Sequence, residues 1–158
     1  SIKKLNNNLK EWCLDPTGWS LEGHKKKYDI SKLEDTPENK KKTFYKEKLI
    51  EGYDEERDIE FNQTLIVTYS LKYKEYQTNI RARQIQHAEN AISNKSKIEN
   101  IGQNDYKRFI QKTTVTDDGE IAEKKVYALE LDTIAEEAKY EGNYTVCKNL
   151  DDLTLIQK

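Results

Sequence analysis

The most regular hydrophobic pattern in the chain changes its period at Ser70. Residues 62–69 read NQTLIVTY, a β-branched and aromatic run that favours a strand in a sheet. After Ser70, apolar residues recur at three- and four-residue spacing, and no glycine or proline occurs before Gly102. Because a serine can accept hydrogen bonds from the first turn, we predict one amphipathic helix over residues 70–94. Its apolar stripe comprises Tyr73, Tyr76, Ile80, Ile85, Ala88 and Ile92.

Three shorter elements are predicted before this helix. Residues 2–13 have the spacing of an amphipathic helix. Residues 43–50 read as a strand, and the acidic segment 52–60 reads as a loop that leads into the central strand. Because such a short connection joins neighbours, we expect the strands 43–50 and 62–69 to be antiparallel.

Further elements are predicted after the long helix. Asp117-Asp118-Gly119 lies between two β-type runs, residues 113–116 and 121–129, which indicates a hairpin. We predict a helix over residues 133–140 capped by Asp132, a strand over 144–147, and a further helix from Asp151. The predicted fold class is α+β: a small, mainly antiparallel sheet with one long helix and several short helices.

Composition is consistent with one domain over residues 1–158. Hydrophobic residues make up 35% of the chain, which is a small share for an independent core. Ten tyrosines and two tryptophans add buried area in compensation. The chain starts at Ser1 and contains no methionine, so we expect a segment of a larger protein.

Cysteine usage and hydropathy indicate a compartment. Cys13 and Cys147 are too few for a disulfide framework. No apolar run reaches the roughly 20 residues that a membrane-spanning helix needs. We therefore expect a cytoplasmic protein with no membrane partner.

Charge is unevenly distributed along the chain although the net charge is -2. Residues 1–50 contain twelve lysines against eight acids, and residues 70–97 contain six basic residues against two acids. Residues 117–158 contain five lysines against eleven acids. A basic front half with an acidic back half can present one positive face.

Candidate catalytic and metal-binding groups are few. The pairs Asp117-Asp118 and Asp151-Asp152 are explained by turn and capping chemistry, and adjacent carboxylates rarely converge on one ion. His24 and His87 have no partners at zinc-like spacing. The chain also lacks a glycine-rich phosphate loop and a nucleophile elbow. We assign no catalytic residue and no metal ligand.

Basic residues beside aromatic residues are candidates for DNA contacts. The runs Lys25–Lys27 before Tyr28 and Lys40–Lys42 before Phe44 can bind phosphates beside a stacking ring, although each run alone is better explained as a solvated loop. Arg81 and Arg83 lie two residues apart, so they do not share a helix face. Trp19 is more readily a core residue than a stacking or wedge residue.

Several stretches resemble the middle of bacterial insertion-sequence transposases of the DDE type. The resemblance is carried by TLIVTYSLKYKEYQ at 64–77, by IRARQI at 80–85 and by Ala88-Glu89. It extends in the same order to LKEW at 9–12, Asp15-Pro16, Gly18-Trp19, KRFI at 107–110, AEEAKYEG at 135–142 and Asn149-Leu150.

The resemblance implies a place within a larger enzyme. In this family an RNase H-like core carries three carboxylates that bind a divalent metal, Mg or Mn, and this chain is similar to a β-rich insertion between the second and third. No catalytic carboxylate carries over to this sequence, so the chain alone is expected to be inactive and to hold no cofactor. The partners implied are transposon-end DNA, the remaining RNase H-like core and, for the parent enzyme, a second copy.

Such insertions help to hold transposon-end DNA near the active site. The candidate DNA-binding residues are Trp19, Lys25, Lys26, Lys27, Arg81 and Arg83. The alternative is a stand-alone interaction module that docks a protein through the long helix. An exposed apolar stripe on that helix, without a positive face, would favour this alternative.

Overall fold

Two long antiparallel strands form the centre of the main sheet. A computed structural model describes residues 2–94, 105–115 and 124–149. β2 (Phe44–Asp54) pairs with β3 (Ile59–Tyr69) along eleven residues, with Phe44 opposite Tyr69 and Asp54 opposite Ile59. The predicted antiparallel pairing is confirmed. The protein combines such sheets with a long helix, so the predicted α+β class is also confirmed.

The chain divides into two compact units. Among the described residues, the first contains residues 2–75 and 142–149, and the second contains residues 76–94, 105–115 and 124–141. Compactness does not measure independent folding, so the prediction of one domain over residues 1–158 stays a prediction.

The acidic segment 52–60 is not the loop that we predicted. Both strands continue through it, and Gly52 lies opposite Phe61. The turn occupies the four residues between the strands, where the Asp54 carboxylate accepts hydrogen bonds from the N–H groups of Glu56 and Arg57. The acids therefore supply turn chemistry while cross-strand pairing extends the hairpin.

Two further strands extend this sheet. β1 (Ser20–Leu21) pairs with the start of β2, and β6 (Asn143–Asn149) pairs with β3, so the strand order among the described residues is β1-β2-β3-β6. One face of the sheet is the core of the first unit, because the alternate residues Phe44, Leu65, Val67 and Tyr69 are buried there.

Short helices precede the sheet. The predicted helix over 2–13 is interrupted: a 3-10 turn covers Ile2–Lys4, and α1 covers Asn7–Leu14. Asn6 causes the break, since its side chain accepts from the N–H of Leu9 at 2.9 Å and caps a new helix. A second 3-10 turn at Ile30–Lys32 and α2 (Pro37–Lys40) follow β1.

The long helix α3 covers Leu71–Ser93, as predicted. Ser70 caps it, because its Oγ accepts from the N–H of Tyr73 at 3.1 Å. Ala88 and Ala91 are buried, and Ile80, Ile85 and Ile92 are half-buried. Tyr76 departs from the predicted stripe, because its side chain is 61% exposed.

The second unit contains a hairpin and a short helix. A 3-10 helix at Asp105–Phe109 leads into β4 (Ile110–Val115), which pairs with β5 (Lys124–Leu129). The predicted hairpin pairing is confirmed, while its Asp117-Gly119 tip lies outside the described residues. α4 covers Leu131–Ala138. Its N-cap position is Glu130, so the prediction that Asp132 caps this helix is wrong.

Two other sequence features fall outside what the structure describes. The helix predicted from Asp151 is one, and the acid pair Asp151-Asp152 is the other. Among the described helices, none combines the length and the apolar character needed to cross a bilayer.

Candidate nucleic-acid interface

The lysine run 25–27 lies on an exposed loop of the first unit. Trp19 and Tyr28 close this loop with two backbone hydrogen bonds, Trp19 N–H to Tyr28 O at 3.1 Å and Tyr28 N–H to Trp19 O at 2.7 Å. Gly23 has a φ of 81°, a left-handed conformation that glycine adopts without steric strain. Residues 22–27 are all exposed, so the loop projects its basic side chains into solvent.

Two of these lysines have neighbours that leave them accessible. The Lys26 Nζ lies 5.5 Å from the centroid of the Tyr28 ring, and the Lys27 Nζ donates to the Ser20 Oγ at 2.5 Å. The Tyr28 ring packs edge-on against Phe44 with centroids 5.4 Å apart. The loop is therefore attached to the core through Tyr28, and residues 25–27 remain exposed on it.

Trp19 belongs to the core and not to the surface. Its side chain is fully buried, and its Nε1–H donates to the carbonyl of Asp15 at 2.9 Å. Its ring lies 6.0 Å from that of Tyr69. The stacking or wedge role considered for Trp19 is unavailable in this conformation, because the ring and the N–H are both already engaged.

Lys46 is a buried lysine that the sequence reasoning missed. Its side chain is 7% exposed, and its Nζ donates to the carbonyls of Trp12 and Asp15 at the end of α1. The same Nζ lies 4.9 Å from the Trp12 ring centroid and 4.7 Å from that of Trp19. Burial lowers the pKa of Lys46, and the charge of Asp15 opposes this shift. Lys46 therefore holds the end of α1 against the sheet. Its burial could have been predicted from its position two residues after Phe44, on the same face of β2.

The second lysine run, residues 40–42, has fewer lysines available for a phosphate than its sequence indicates. Lys40 forms ion pairs with Asp35 at 3.5 Å and Glu75 at 3.2 Å, and the bond to Glu75 raises the pKa of Lys40. The Lys42 Nζ donates to Asn39 Oδ1 at 3.1 Å. The solvated-loop interpretation describes this run better than a phosphate site does.

Arg81 and Arg83, which belong to the second unit, have different surroundings. Arg81 forms an ion pair with Glu141, whose side chain is 9% exposed. The Thr78 hydroxyl donates to the other oxygen of the same carboxylate at 2.7 Å. Arg83 is exposed. The two residues occupy different faces of the helix, as their spacing predicted. Arg81 is paired with Glu141, whereas Arg83 is exposed to solvent.

A second arginine of this unit is also engaged. The Nε and Nη2 of Arg108 donate to the two oxygens of Glu137 at 2.7 and 3.0 Å, and Nη2 also donates to Gln84. Its guanidinium lies 4.2 Å from the centroid of the buried Phe109 ring. This bidentate pair links α3, the 3-10 turn and α4 within the unit.

Acidic side chains of the first unit concentrate at the end of the β2–β3 hairpin. Residues 51–60 contain Glu51, Asp54, Glu55, Glu56, Asp58 and Glu60 against Arg57 alone. Asp54 lies ten residues along β2 from Phe44, a span of about 33 Å at 3.3 Å per residue. The unit therefore separates a basic loop, near Phe44, from an acidic hairpin end.

Metal-binding and nucleophilic groups do not assemble in the part of the chain that the structure describes. No group of three His, Cys, Asp or Glu side chains is placed to hold a metal ion among these residues. Cys13 is buried and Cys147 is exposed, and both are free thiols. Burial raises the pKa of the Cys13 thiol, although nearby Lys46 opposes the shift.

Comparisons with known proteins add no family. No protein-family model, no curated protein and no solved structure matches this chain.

Proposed function

We propose that this chain is the insertion subdomain of a DDE transposase, that it helps to hold transposon-end DNA, and that it has no catalytic activity alone. The proposal rests on the resemblance of residues 64–89 and the flanking blocks to that family. Within this proposal, the parent enzyme supplies the RNase H-like core, its Mg or Mn ions and a second copy, and it acts in the cytoplasm.

The observation that carries the DNA-holding role is the exposed loop with Lys25, Lys26 and Lys27. Phosphate binding requires accessible cationic groups that outnumber the carboxylates around them. Residues 22–27 are exposed and contain three lysines against one carboxylate, Glu22, and the acidic hairpin end lies about 33 Å along β2. A duplex is attracted to the loop and repelled by the hairpin end, which orients the unit on DNA.

The residues proposed for DNA contact are fewer than the sequence indicated. Lys25, Lys26 and Lys27 remain, and Arg83 remains as an exposed cation of the second unit. Trp19 is removed because it is buried in the core. Arg81 is removed because its guanidinium is paired with Glu141. The proposed contacts are therefore phosphate contacts, which position DNA without reading its sequence.

The alternative, a docking module that acts through the long helix, has less support. It requires an exposed apolar stripe on α3. Among the large apolar side chains of the described helix, Tyr76 is exposed, while the isoleucines are half-buried. A single exposed tyrosine beside the cations Lys72 and Arg83 does not make an apolar docking face.

Fluorescence anisotropy with a labelled short duplex at low salt tests the proposal. We expect the triple variant Lys25→Gln, Lys26→Gln, Lys27→Gln to weaken binding. The slope of log affinity against log salt should fall by up to about 2.7, at about 0.9 per phosphate contact. The matched control is Lys4→Gln, Lys32→Gln, Lys72→Gln, which removes the same charge from exposed positions elsewhere. Equal losses in the two variants, or unchanged binding in the first, would refute the assignment.

A further inference from the structure

Among the residues that the structure describes, β6 is the end strand of its sheet and its outer edge is open. It pairs with β3 along its whole length, from Asn143 opposite Tyr69 to Asn149 opposite Gln63. In an antiparallel ladder, alternate residues direct their N–H and C=O groups away from the partner strand. Within the described ranges, no backbone hydrogen bond reaches the outer side of β6. This row of free donors and acceptors is a template for another strand.

β6 also lacks the features that usually protect an edge. Its seven residues contain no proline or glycine and one charge, Lys148. Its side chains are accessible, since Tyr144 is 57% exposed and Cys147 is exposed. The opposite edge of the sheet differs. β1 pairs only with the start of β2, and the rest of β2 contains the charged residues Glu47, Lys48 and Glu51, which discourage pairing with another strand.

The sequence of β6, NYTVCKN, is complementary to itself in the antiparallel direction. In a register centred on Val146, that residue faces its own copy, and Tyr144 faces Lys148 on both sides of the centre. Thr145 faces Cys147, and uncharged asparagines face each other at the ends. No like charges oppose each other, and two tyrosine–lysine pairs form across the strands.

This register also preserves the two faces of the sheet. In this register each residue pairs with a residue from the same face of the strand. A two-fold axis perpendicular to the sheet therefore places the face that carries Leu65 and Val67 beside the same face of the second copy. Shifting the pairing by one residue would oppose core-facing and outward-facing side chains. Shifting it by two residues would shorten the paired segment. Full length and face matching therefore select the same register.

We propose that two copies of this chain associate through antiparallel β6–β6 pairing centred on Val146. The two four-stranded sheets then form one continuous sheet across a two-fold axis. The occupant of the open edge is a second copy because β6 complements its own sequence in charge and in length. This inference does not depend on the proposed DNA-holding role.

Disulfide trapping in the full chain tests the register. Across the axis, the two Val146 Cα atoms are expected about 4.5–5.5 Å apart, within reach of a disulfide. Val146→Cys in a Cys147→Ser background should give a covalent dimer under mild oxidation. Leu49→Cys in the same background is the control, because Leu49 is 61% exposed on β2, away from β6. Absence of the Val146→Cys dimer, or equal cross-linking of the control, would overturn the register.

Sedimentation velocity with charge variants tests the interface without a cysteine. Tyr144→Lys places lysines opposite Lys148 twice and should weaken the dimer about tenfold. Adding Lys148→Glu should restore association through two Lys–Glu pairs. Tyr53→Lys, at a residue 54% exposed on the hairpin, should have no effect. A wild-type chain that stays monomeric at high concentration, or a Tyr144→Lys variant that associates normally, would overturn the proposal.

Discussion

The ammonium group of Lys46 lies 4.7 Å from the ring centroid of Trp19, at the junction between α1 and the main sheet. The lysine satisfies carbonyls at the end of the helix while the indole rings of Trp12 and Trp19 cover its charge. A cation buried in this way is tolerated because each of its polar contacts replaces one that water made.

Lys46→Met keeps the length of the side chain and removes the charge. We expect the free energy of unfolding of the first unit to fall by about 1–3 kcal/mol, because the carbonyls of Trp12 and Asp15 lose their donor. Tryptophan fluorescence during urea unfolding measures this, since both tryptophans lie in that unit. The control Lys48→Met, on the same strand face, removes an exposed lysine whose Nζ lies 5.8 Å from the Trp12 ring centroid, and it should change stability by less than about 1 kcal/mol. Equal effects of the two substitutions would contradict the assigned role.

Gly142 and Gly18 provide a matched pair for separating steric contact from backbone strain. Both have positive φ, 86° and 79°, so alanine strains the backbone at either position by about 1–2 kcal/mol. A Cβ at Gly142 would lie 2.8 Å from Tyr69 Cε2 and 3.2 Å from the Ser70 carbonyl, whereas at Gly18 it meets nothing within 4 Å. We expect Gly142→Ala to be the more destabilising in urea unfolding, by about 1 kcal/mol or more. Similar losses of unfolding free energy in the two variants would contradict a steric contact at Gly142.

Arg81 and Arg83 should differ in their effect on the stability of the second unit. Arg81→Met leaves the mostly buried Glu141 carboxylate without its cation, and we expect a loss of about 2 kcal/mol. Arg83→Met should change stability by less than about 0.5 kcal/mol, because Arg83 is exposed. Hydrogen exchange of the α3 amides measures both. Adding Glu141→Gln to Arg81→Met should recover part of the loss, and no recovery would argue against the ion pair.

Cys13 should make stability fall at alkaline pH. Burial raises the pKa of its thiol above 9.0 in the folded chain, so above that pH the unfolded chain ionises first. The unfolded state then binds fewer protons, and the free energy of unfolding decreases as pH rises from 9.0 to the folded pKa. The difference in unfolding free energy between wild type and Cys13→Ala should be constant below about pH 8. Above pH 9 it should shrink, by at most about 1.4 kcal/mol per pH unit. A difference that stays constant to pH 10.5 would contradict this.

The regular elements could be predicted from the sequence because their signals are local. A period of 3.6 residues without a break, together with Ser70 as a cap, determined α3 to within a residue or two at each end. β-branched and aromatic residues indicated the strands, and the short connections between them indicated the antiparallel pairs β2–β3 and β4–β5. The exposed Lys25–Lys27 loop agrees with the solvated-loop interpretation of that lysine run.

Tertiary structure decided which side chains remain available, because that depends on residues distant in sequence. Lys46 is buried by Trp12, which lies 34 residues earlier, and Arg81 is paired with Glu141 from beyond α4. Trp19 is enclosed by Tyr69 and Lys46. The open edge of β6 follows from the strand order, which no local pattern encodes. Local periodicity specifies where an element forms, while packing between distant segments specifies which of its groups can still bind a partner.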